Sequence, residues 1–431
     1  MKILMVTNTF TPHVGGVAHS VERFTAEYRR AGHQVLVIAP TFEGEDEQTS
    51  DVMRIPAIQN FNGSDFSVPM PLPRLVASKV QDFDPDIVHS HHPFLLGDTA
   101  LRVASWRDIP VVFTHHTLYE RYTHYVPVDQ SRLACFVVEL TTGYCNLCDA
   151  VIAPSRSIER LLRQRGVVSP IRVVPTGIDL DRFRAGDGIS FRREHGLPAE
   201  ACVVGHVGRL AEEKNLSFLT AAVARFLATR QEARFLLVGD GPSAGTISRL
   251  LSERGLSDRL LAVGRRTGRD LADAYAAMDV FAFASHSETQ GIVLVEAMAA
   301  GVAVVAVDAP GVREVVRDGE NGRLLGRDSE EEFASALRWV ADLDGEARRR
   351  LSASLAATAK RYSGPVTAAE ALALYVELLG QRPRPKRLEG SLWATAKRRT
   401  EEEWRILKNI AVAAGETWRR SRELGVEYDG D

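Results

Sequence analysis

Nowhere in the 431 residues is there a run approaching the roughly 20 apolar residues of a membrane-spanning helix. The opening MKILMV turns polar at Thr7, Asn8 and Thr9, too soon for the core of a secretory signal. Both absences point to a cytoplasmic protein. Cysteine is scarce. Cys145 and Cys148 form one C-x-x-C, but no second pair completes a zinc knuckle, and Cys135 and Cys202 stand far apart. A disulfide scaffold is excluded, and the pair reads as small buried thiols on a helix. An excess of charge of one sign is also missing. With 53 Lys and Arg against 56 Asp and Glu, the chain as a whole has no electrostatic reason to bind nucleic acid. Disorder is excluded by a hydrophobic content of 45%.

What the sequence does contain is a regular alternation of short apolar runs with helical patterns. KILMVT, QVLVIAP, DIVHSH, VVFTHH, AVIAPS and IRVVPTG are rich in Val and Ile and bounded by Gly, Pro, Asp or Ser, as buried parallel strands are. A polar stretch near 178–200 reads as a linker. A second series follows it: CVVGHVG, RFLLVGDG, LLAVGR, VFAFAS, AVVAVD and GRLLG. The pattern predicts an α/β protein of two Rossmann-like doubly wound domains, 1–178 and 179–362. A further helix is expected over 363–380, with Pro early and Gly late, and a basic, Trp-bearing helical extension over 381–431.

Three places could carry chemistry. Gly15 and Gly16 follow the first strand and precede a helix, where backbone N–H groups and the positive helix end suit a phosphate. The pair alone is equally a bare turn. Arg209 and Lys214 follow the first strand of the second half, the usual ligand position of an open α/β sheet. Two cations there could neutralise a diphosphate, although by themselves they also read as solvated surface charges. In SETQGIVLVE, Glu288 precedes Gly291 and Glu296 lies in the first turns of the helix beginning near Ile292. Carboxylates so placed accept hydrogen bonds from hydroxylated ligands, while a helix start favours acidic residues in any case.

Taken in order, the GGV after the first strand, GRLAEEKN, the E-x7-E of SETQGIVLVE and AAGVAVVAVDAPGVREVVRDGENGRLL resemble the retaining, nucleotide-sugar-dependent glycosyltransferases of family 4, which have the GT-B fold. The resemblance spans about residues 1–380. Within the family, HSHHPFLLG, VVFTHHTLYERYTHY and SETQG are most similar to bacterial diacylglycerol glucosyltransferases. The resemblance implies that Gly15 and Gly16 contact the donor diphosphate and that Arg209 and Lys214 neutralise it. Glu288, with Thr289, Gln290, Gly291 and Ile292, would bind the sugar, and Glu296 the ribose. His116 would stand near the transferred sugar, and Gly264 and Arg265, with Arg266, would read the base. The implied donor is UDP-glucose and the implied acceptor a membrane lipid such as diacylglycerol, with no obligatory cofactor or metal. The D-x-D pairs Asp84/Asp86, Asp179/Asp181 and Asp342/Asp344 have no convincing metal-binding context.

Other readings keep a place. The same transfer could use a soluble or polysaccharide acceptor. The histidines His89, His91, His92, His115, His116 and His124 could ligate a metal in a hydrolase. Gly241-Pro242-Ser243-Ala244-Gly245 matches a nucleophile elbow, for which His286 is the only later histidine.

The tail has its own logic. On a helix of about 100° per residue, Trp393, Trp404, Ala411 and Trp418 share a narrow sector close to Leu407. Lys397 and Lys408 flank it, and Arg398, Arg405 and Arg419 lie further round. Residues 383–422 hold 11 Lys or Arg against 5 Glu, a local +6. Such a face suits the headgroup region of an anionic membrane and, with the resemblance, predicts peripheral attachment on the inner face of the cell membrane. The alternative is that the Trp stripe packs on the protein or another subunit. Glu401, Glu402 and Glu403 favour that alternative.

Overall fold

The computed structural model describes residues 1–13, 15–42, 50–58, 68–70, 73–121, 130–381 and 392–423. It divides into two units, Met1–Pro175 with Ala368–Asp431, and Thr176–Thr367.

The first unit contains strands β1 (Lys2–Val6), β2 (Gln34–Pro40), β3 (Val52–Ile55), β4 (Ala57–Ile58), β5 (Val68–Pro69), β6 (Ile87–Ser90), β7 (Val111–Thr114), β8 (Ala150–Ala153) and β9 (Ile171–Val173). Its helices are α1 (Gly16–Arg30), α2 (Pro73–Phe83), α3 (Leu96–Arg107), α4 (Gln130–Leu147) and α5 (Arg156–Gln164). Apart from the β4–β5 pair, the strands form one parallel sheet ordered β3-β2-β1-β6-β7-β8-β9. The central strands are buried on both faces, which is why they read as unbroken apolar runs. Alternation then sorts the side chains. Leu4 and Val6 join one hydrophobic cluster with Leu101 of α3 and Tyr144 of α4, whereas Ile3 and Met5 join another with Phe24 and Tyr28 of α1. Strand β3, VMRI, was not anticipated, because four residues including Arg54 give too little pattern. Of the C-x-x-C thiols, Cys145 lies buried on α4 as expected, whereas Cys148, also buried, stands in the bend just past the helix end.

The second unit begins with a correction. The stretch read as a linker holds two short helices, α6 (Leu180–Arg184) and α7 (Gly188–Glu194). Asp179 and Asp187 cap them by accepting from Arg182 N at 3.1 Å and Ser190 N at 3.0 Å, and each helix buries one phenylalanine, Phe183 and Phe191, in the unit's core. One apolar anchor per helix is too sparse to show as a periodicity. Then come β10 (Val203–Val207), α8 (Leu216–Thr229), β11 (Arg234–Val238), α9 (Ala244–Ser252), β12 (Leu260–Gly264), α10 (Gly268–Ala276), β13 (Val280–Phe283), α11 (Ile292–Ala299), β14 (Ala303–Val307), β15 (Gly322–Leu325), α12 (Glu330–Ala341) and α13 (Gly345–Arg361). The parallel sheet is ordered β12-β11-β10-β13-β14-β15. Strand order therefore reverses between β1 and β6 in one sheet and between β10 and β13 in the other, the positions at which open α/β sheets bind ligands.

Two helices complete the chain. α14 (Gly364–Gln381) has Pro365 in its first turn and carries Ala368, Ala371, Leu374 and Tyr375 into the first unit's core. α15 (Leu392–Glu423) packs on α3 and α4. Ile406, Ala413 and Glu402 are buried there, Asn409 Nδ2 donates to Leu140 O at 3.1 Å, and Arg102 pairs with Glu403 at 2.6 Å. Gly143 is needed at this crossing, since a Cβ there would fall 1.6 Å from Asn409 Oδ1. No helix among the described residues is long and apolar enough to cross a membrane.

Candidate functional site

At the switch point of the second unit, the loops after β10 and β13 meet. Lys214 stands in a single 3-10 turn, Glu212–Lys214, and its Nζ donates to Glu288 Oε2 at 3.0 Å. Both side chains are about four-fifths buried, at 18% and 21% exposure, so the pair is only partly screened by water. Behind it, the hydroxyls of Ser285 and Ser287 donate to Glu213 O at 3.2 and 3.4 Å. Arg209, on the same loop as Lys214, is exposed. Gly291, at φ +74°, makes the left-handed step into α11 that a side chain would oppose. Glu296 lies one turn into that helix, where Oε2 accepts from the buried Tyr275 hydroxyl at 3.0 Å. Burial and the Glu296 carboxylate push the Tyr275 phenol well up, so it remains a donor.

The neighbours of Glu288 divide. Thr289 and Ile292 border the turn, but Gln290 grips the backbone of Thr176: Oε1 accepts from its N–H at 2.6 Å and Nε2 donates to its carbonyl at 2.7 Å. Its amide groups are thus engaged within the protein. Gly264 ends β12, and Arg265 N donates to Asp240 Oδ2 at 3.1 Å. Sequence reasoning missed His206 on β10. Its Nδ1–H donates to Ala282 O at 3.0 Å, and burial lowers its pKa to about 4, so it is neutral. A polar residue inside an apolar strand was the available signal.

At the corresponding point of the first unit the chemistry is different. Asn8 ties the loops together: its N–H donates to His92 Nδ1 at 3.0 Å, its Oδ1 accepts from Leu96 N at 3.1 Å, and its Nδ2 donates to Phe94 O at 3.1 Å. Gly15 caps α1 without a side-chain bond, and Gly16 opens the helix. His91 Nδ1 and His116 Nε2 are 2.8 Å apart. His89 lies between Tyr375, at 2.6 Å from Nδ1, and Thr114, at 2.6 Å from Nε2, and Tyr375 in turn meets Tyr28 at 2.9 Å. Burial lowers His89 and His92 to about 3 and His115 to about 4, and it drives His91 and His116 down as well. These imidazoles are neutral, and His89, His91, His92 and His116 are each hydrogen-bonded within the protein, whereas neither ring nitrogen of His115 has a hydrogen-bond partner among the described residues. His124 lies outside the described residues.

Five of the six D-x-D carboxylates have local duties. Asp84 pairs with Arg107, Asp86 accepts from Lys2 N, Asp179 and Asp344 cap helices, and Asp342 pairs with Arg230.

Residues 14–182 match the model described as Glycosyltransferase Family 4, and residues 189–356 that of glycosyl transferases group 1. A GDP-mannose-dependent alpha-mannosyltransferase of Mycobacterium tuberculosis is 32% identical over 389 residues, 89% of this chain and 98% of the relative. The chain belongs to glycosyltransferase family 4. The alpha-monoglucosyldiacylglycerol synthase of Acholeplasma laidlawii is 28% identical to this glycosyltransferase over 393 residues, 88% of the chain and 98% of the relative. Among solved structures, Anabaena Alr3699/HepE in complex with UDP and glucose superposes with a TM-score of 0.69 at 23% identity, covering 88% of this chain and 99% of the other. The glycosyltransferase thus has the GT-B fold and is a nucleotide-sugar-dependent transferase. The nucleophile-elbow match is coincidental in this setting. Ser243 heads α9, and His286, the histidine a hydrolase would require, has the nitrogen that would have to face the serine, Nε2, turned to Asp328 at 3.0 Å.

On α15 of the glycosyltransferase, Trp404 and Leu407 are 68% and 59% exposed. At roughly 100° per residue, Trp404 lies about half a turn and Leu407 about a third of a turn from the buried Ile406 and Ala413. The helix packs, but by the face opposite the one the tryptophan pattern singled out. Lys408 is exposed beside Trp404, and Arg398 and Arg405 lie nearer the packed side. The side chains of Trp393, Lys397 and Trp418 lie outside the described residues.

Proposed function

We propose that this glycosyltransferase moves glucose from UDP-glucose, with retention of anomeric configuration, onto a membrane lipid acceptor such as diacylglycerol. The observation that carries the reading is the Lys214–Glu288 pair at the β10/β13 switch point, which puts a cation for a diphosphate beside a carboxylate for sugar hydroxyls. The names of the Acholeplasma relative and of the Anabaena complex supply the acceptor and the donor.

In this reading the anomeric C–O bond breaks and its electron pair passes to the departing diphosphate. The acceptor hydroxyl forms the new C–O bond on the same face and gives its proton to a diphosphate oxygen. Lys214 and Arg209 stabilise the charge that develops on the leaving group, the largest task in such a reaction. Glu288 orients the sugar, Glu296 holds the ribose, and the Gly264–Arg265 turn reads the base. In the first unit, Gly15 and Gly16 offer N–H groups to phosphate, and neutral His116 serves the reacting sugar as a hydrogen-bond partner without adding charge.

Attachment to the inner face of the membrane is part of the same proposal. With its opposite face held by α3 and α4, α15 presents Trp404 and Leu407 outward in a segment of local charge +6, complementary to an anionic bilayer. The exchange Trp404→Ser with Leu407→Ser should abolish co-sedimentation with phosphatidylglycerol vesicles. Unchanged sedimentation, or loss of a dimer in its place, refutes the surface.

A screen of donors and acceptors with product mass spectrometry tests the chemistry, and NMR of the product gives its configuration. Glucosyl-diacylglycerol formed only from UDP-glucose is the expected result. Turnover with GDP-mannose alone would overturn the donor, and that outcome has the mycobacterial relative in its favour.

A further inference from the structure

Asp328, in the turn between β15 and α12, lies outside every motif singled out in the sequence. Its Oδ2 accepts from Asn215 Nδ2 at 2.9 Å and is 3.0 Å from His286 Nε2. An ionised carboxylate only accepts, so His286 must carry a proton on Nε2. The Asn215 amide, 3.2 Å from the same nitrogen, is then a second donor converging on Asp328. One oxygen thereby joins the residue that follows Lys214 to the residue two before Glu288.

A second observation shows that this junction has precedence over local helix chemistry. Asn215 is the N-cap of α8, a position where an Asn side chain ordinarily accepts from the helix's own first N–H groups. Here it makes no such bond. The residue sits at φ +54°, a left-handed conformation that asparagine tolerates, with its amide directed at Asp328. Lys214 and Glu288 meet on the other side of the same two loops at 3.0 Å.

We propose that Asp328 is a positioning residue for donor binding, holding the Lys214 loop and the Glu288 loop in register through Asn215 and His286. This rests on the reading of Lys214 and Glu288 as donor-binding groups. Asp328 touches no substrate in this account. Its removal lets the two loops drift, and small displacements of charged positioning groups are costly.

The test compares Asp328→Ala, Asp328→Asn and, as a neighbouring control, Glu332→Gln, which breaks the exposed pair with Arg327. Asp328→Ala should raise the KM for the nucleotide-sugar donor about tenfold, leave the acceptor KM within about twofold, and shrink the rise in melting temperature produced by UDP or GDP. The ligand-free melting temperature should stay unchanged. Asp328→Asn, which keeps an acceptor oxygen, should restore most of the donor affinity, and Glu332→Gln should have no effect. Adding Asn215→Ala to Asp328→Ala should cost nothing further, because both break one junction. An unchanged donor KM in Asp328→Ala, or an equal rise in both KM values, overturns the inference. If Lys214→Ala also leaves nucleotide binding intact, the underlying reading of the site has failed. If Lys214→Ala abolishes binding while Asp328→Ala is silent, only the role of Asp328 is wrong.

Discussion

The two units share a sheet plan but build their switch points from opposite materials. In the first, strand β6 and the loops after β6 and β7 carry buried, neutral imidazoles linked to tyrosine, threonine and one another. In the second, the loops after β10 and β13 carry a cation and a carboxylate that remain in partial contact with water. The difference teaches that one topology fixes only where ligands bind. A buried, uncharged cluster keeps its partners fixed, whereas a part-exposed ion pair can exchange its internal partner for an incoming charged group.

Acid should separate the units most strongly. Above pH 6.5 the buried histidines are neutral in folded and unfolded chains alike and make no difference to stability. As pH falls below 6.5, the unfolded chain binds protons that folded His89, His92 and His115 refuse until about 3 or 4, so stability is lost with falling pH. Each such histidine costs roughly 1.4 kcal/mol per pH unit across that window. The second unit has one described counterpart, His206. Hydrogen exchange between pH 7 and 4.5 should therefore show the first unit opening before the second, and simultaneous opening would break the contrast.

Next in size is the ion pair. If Lys214 stabilises the leaving group as proposed, Lys214→Ala should lower kcat/KM by about a hundredfold or more. A loss of melting temperature with intact kcat/KM would instead make the pair structural.

Within the first unit, Ile406→Ala should destabilise the α15 contact by about 2–4 kcal/mol, as for other buried aliphatic truncations. Tyr375→Phe should cost about 1–3 kcal/mol by leaving His89 and Tyr28 without a shared hydroxyl. Smallest of all, Trp404→Ser should change stability by no more than about 0.5 kcal/mol, because its side chain stands in water. Denaturant melts of the three variants check that order, and a large effect at Trp404 would mean that its face is already covered.

Much of this was legible in the chain. Every strand of the second unit announced itself, the central ones because a parallel strand buried on both faces must be a continuous apolar run, and the partly exposed edge strands β12 and β15 by short apolar cores bounded by glycine. The proximity of Lys214 and Glu288 could be inferred only through family resemblance, since 73 residues intervene between them. Helices α6 and α7 escaped notice because a single phenylalanine anchors each. Asp328 and His206 escaped because their partners come from distant loops and strands.

The sequence by itself determined the α/β class, the alternation of elements and the amphipathic pattern of the tail, all of which follow from local periodicity and backbone propensity. Tertiary structure alone decided which carboxylate meets which cation, which histidines are neutral, and which face of α15 is held against α3 and α4. Those outcomes depend on desolvation and on contacts between segments remote in the chain, and no local pattern encodes them.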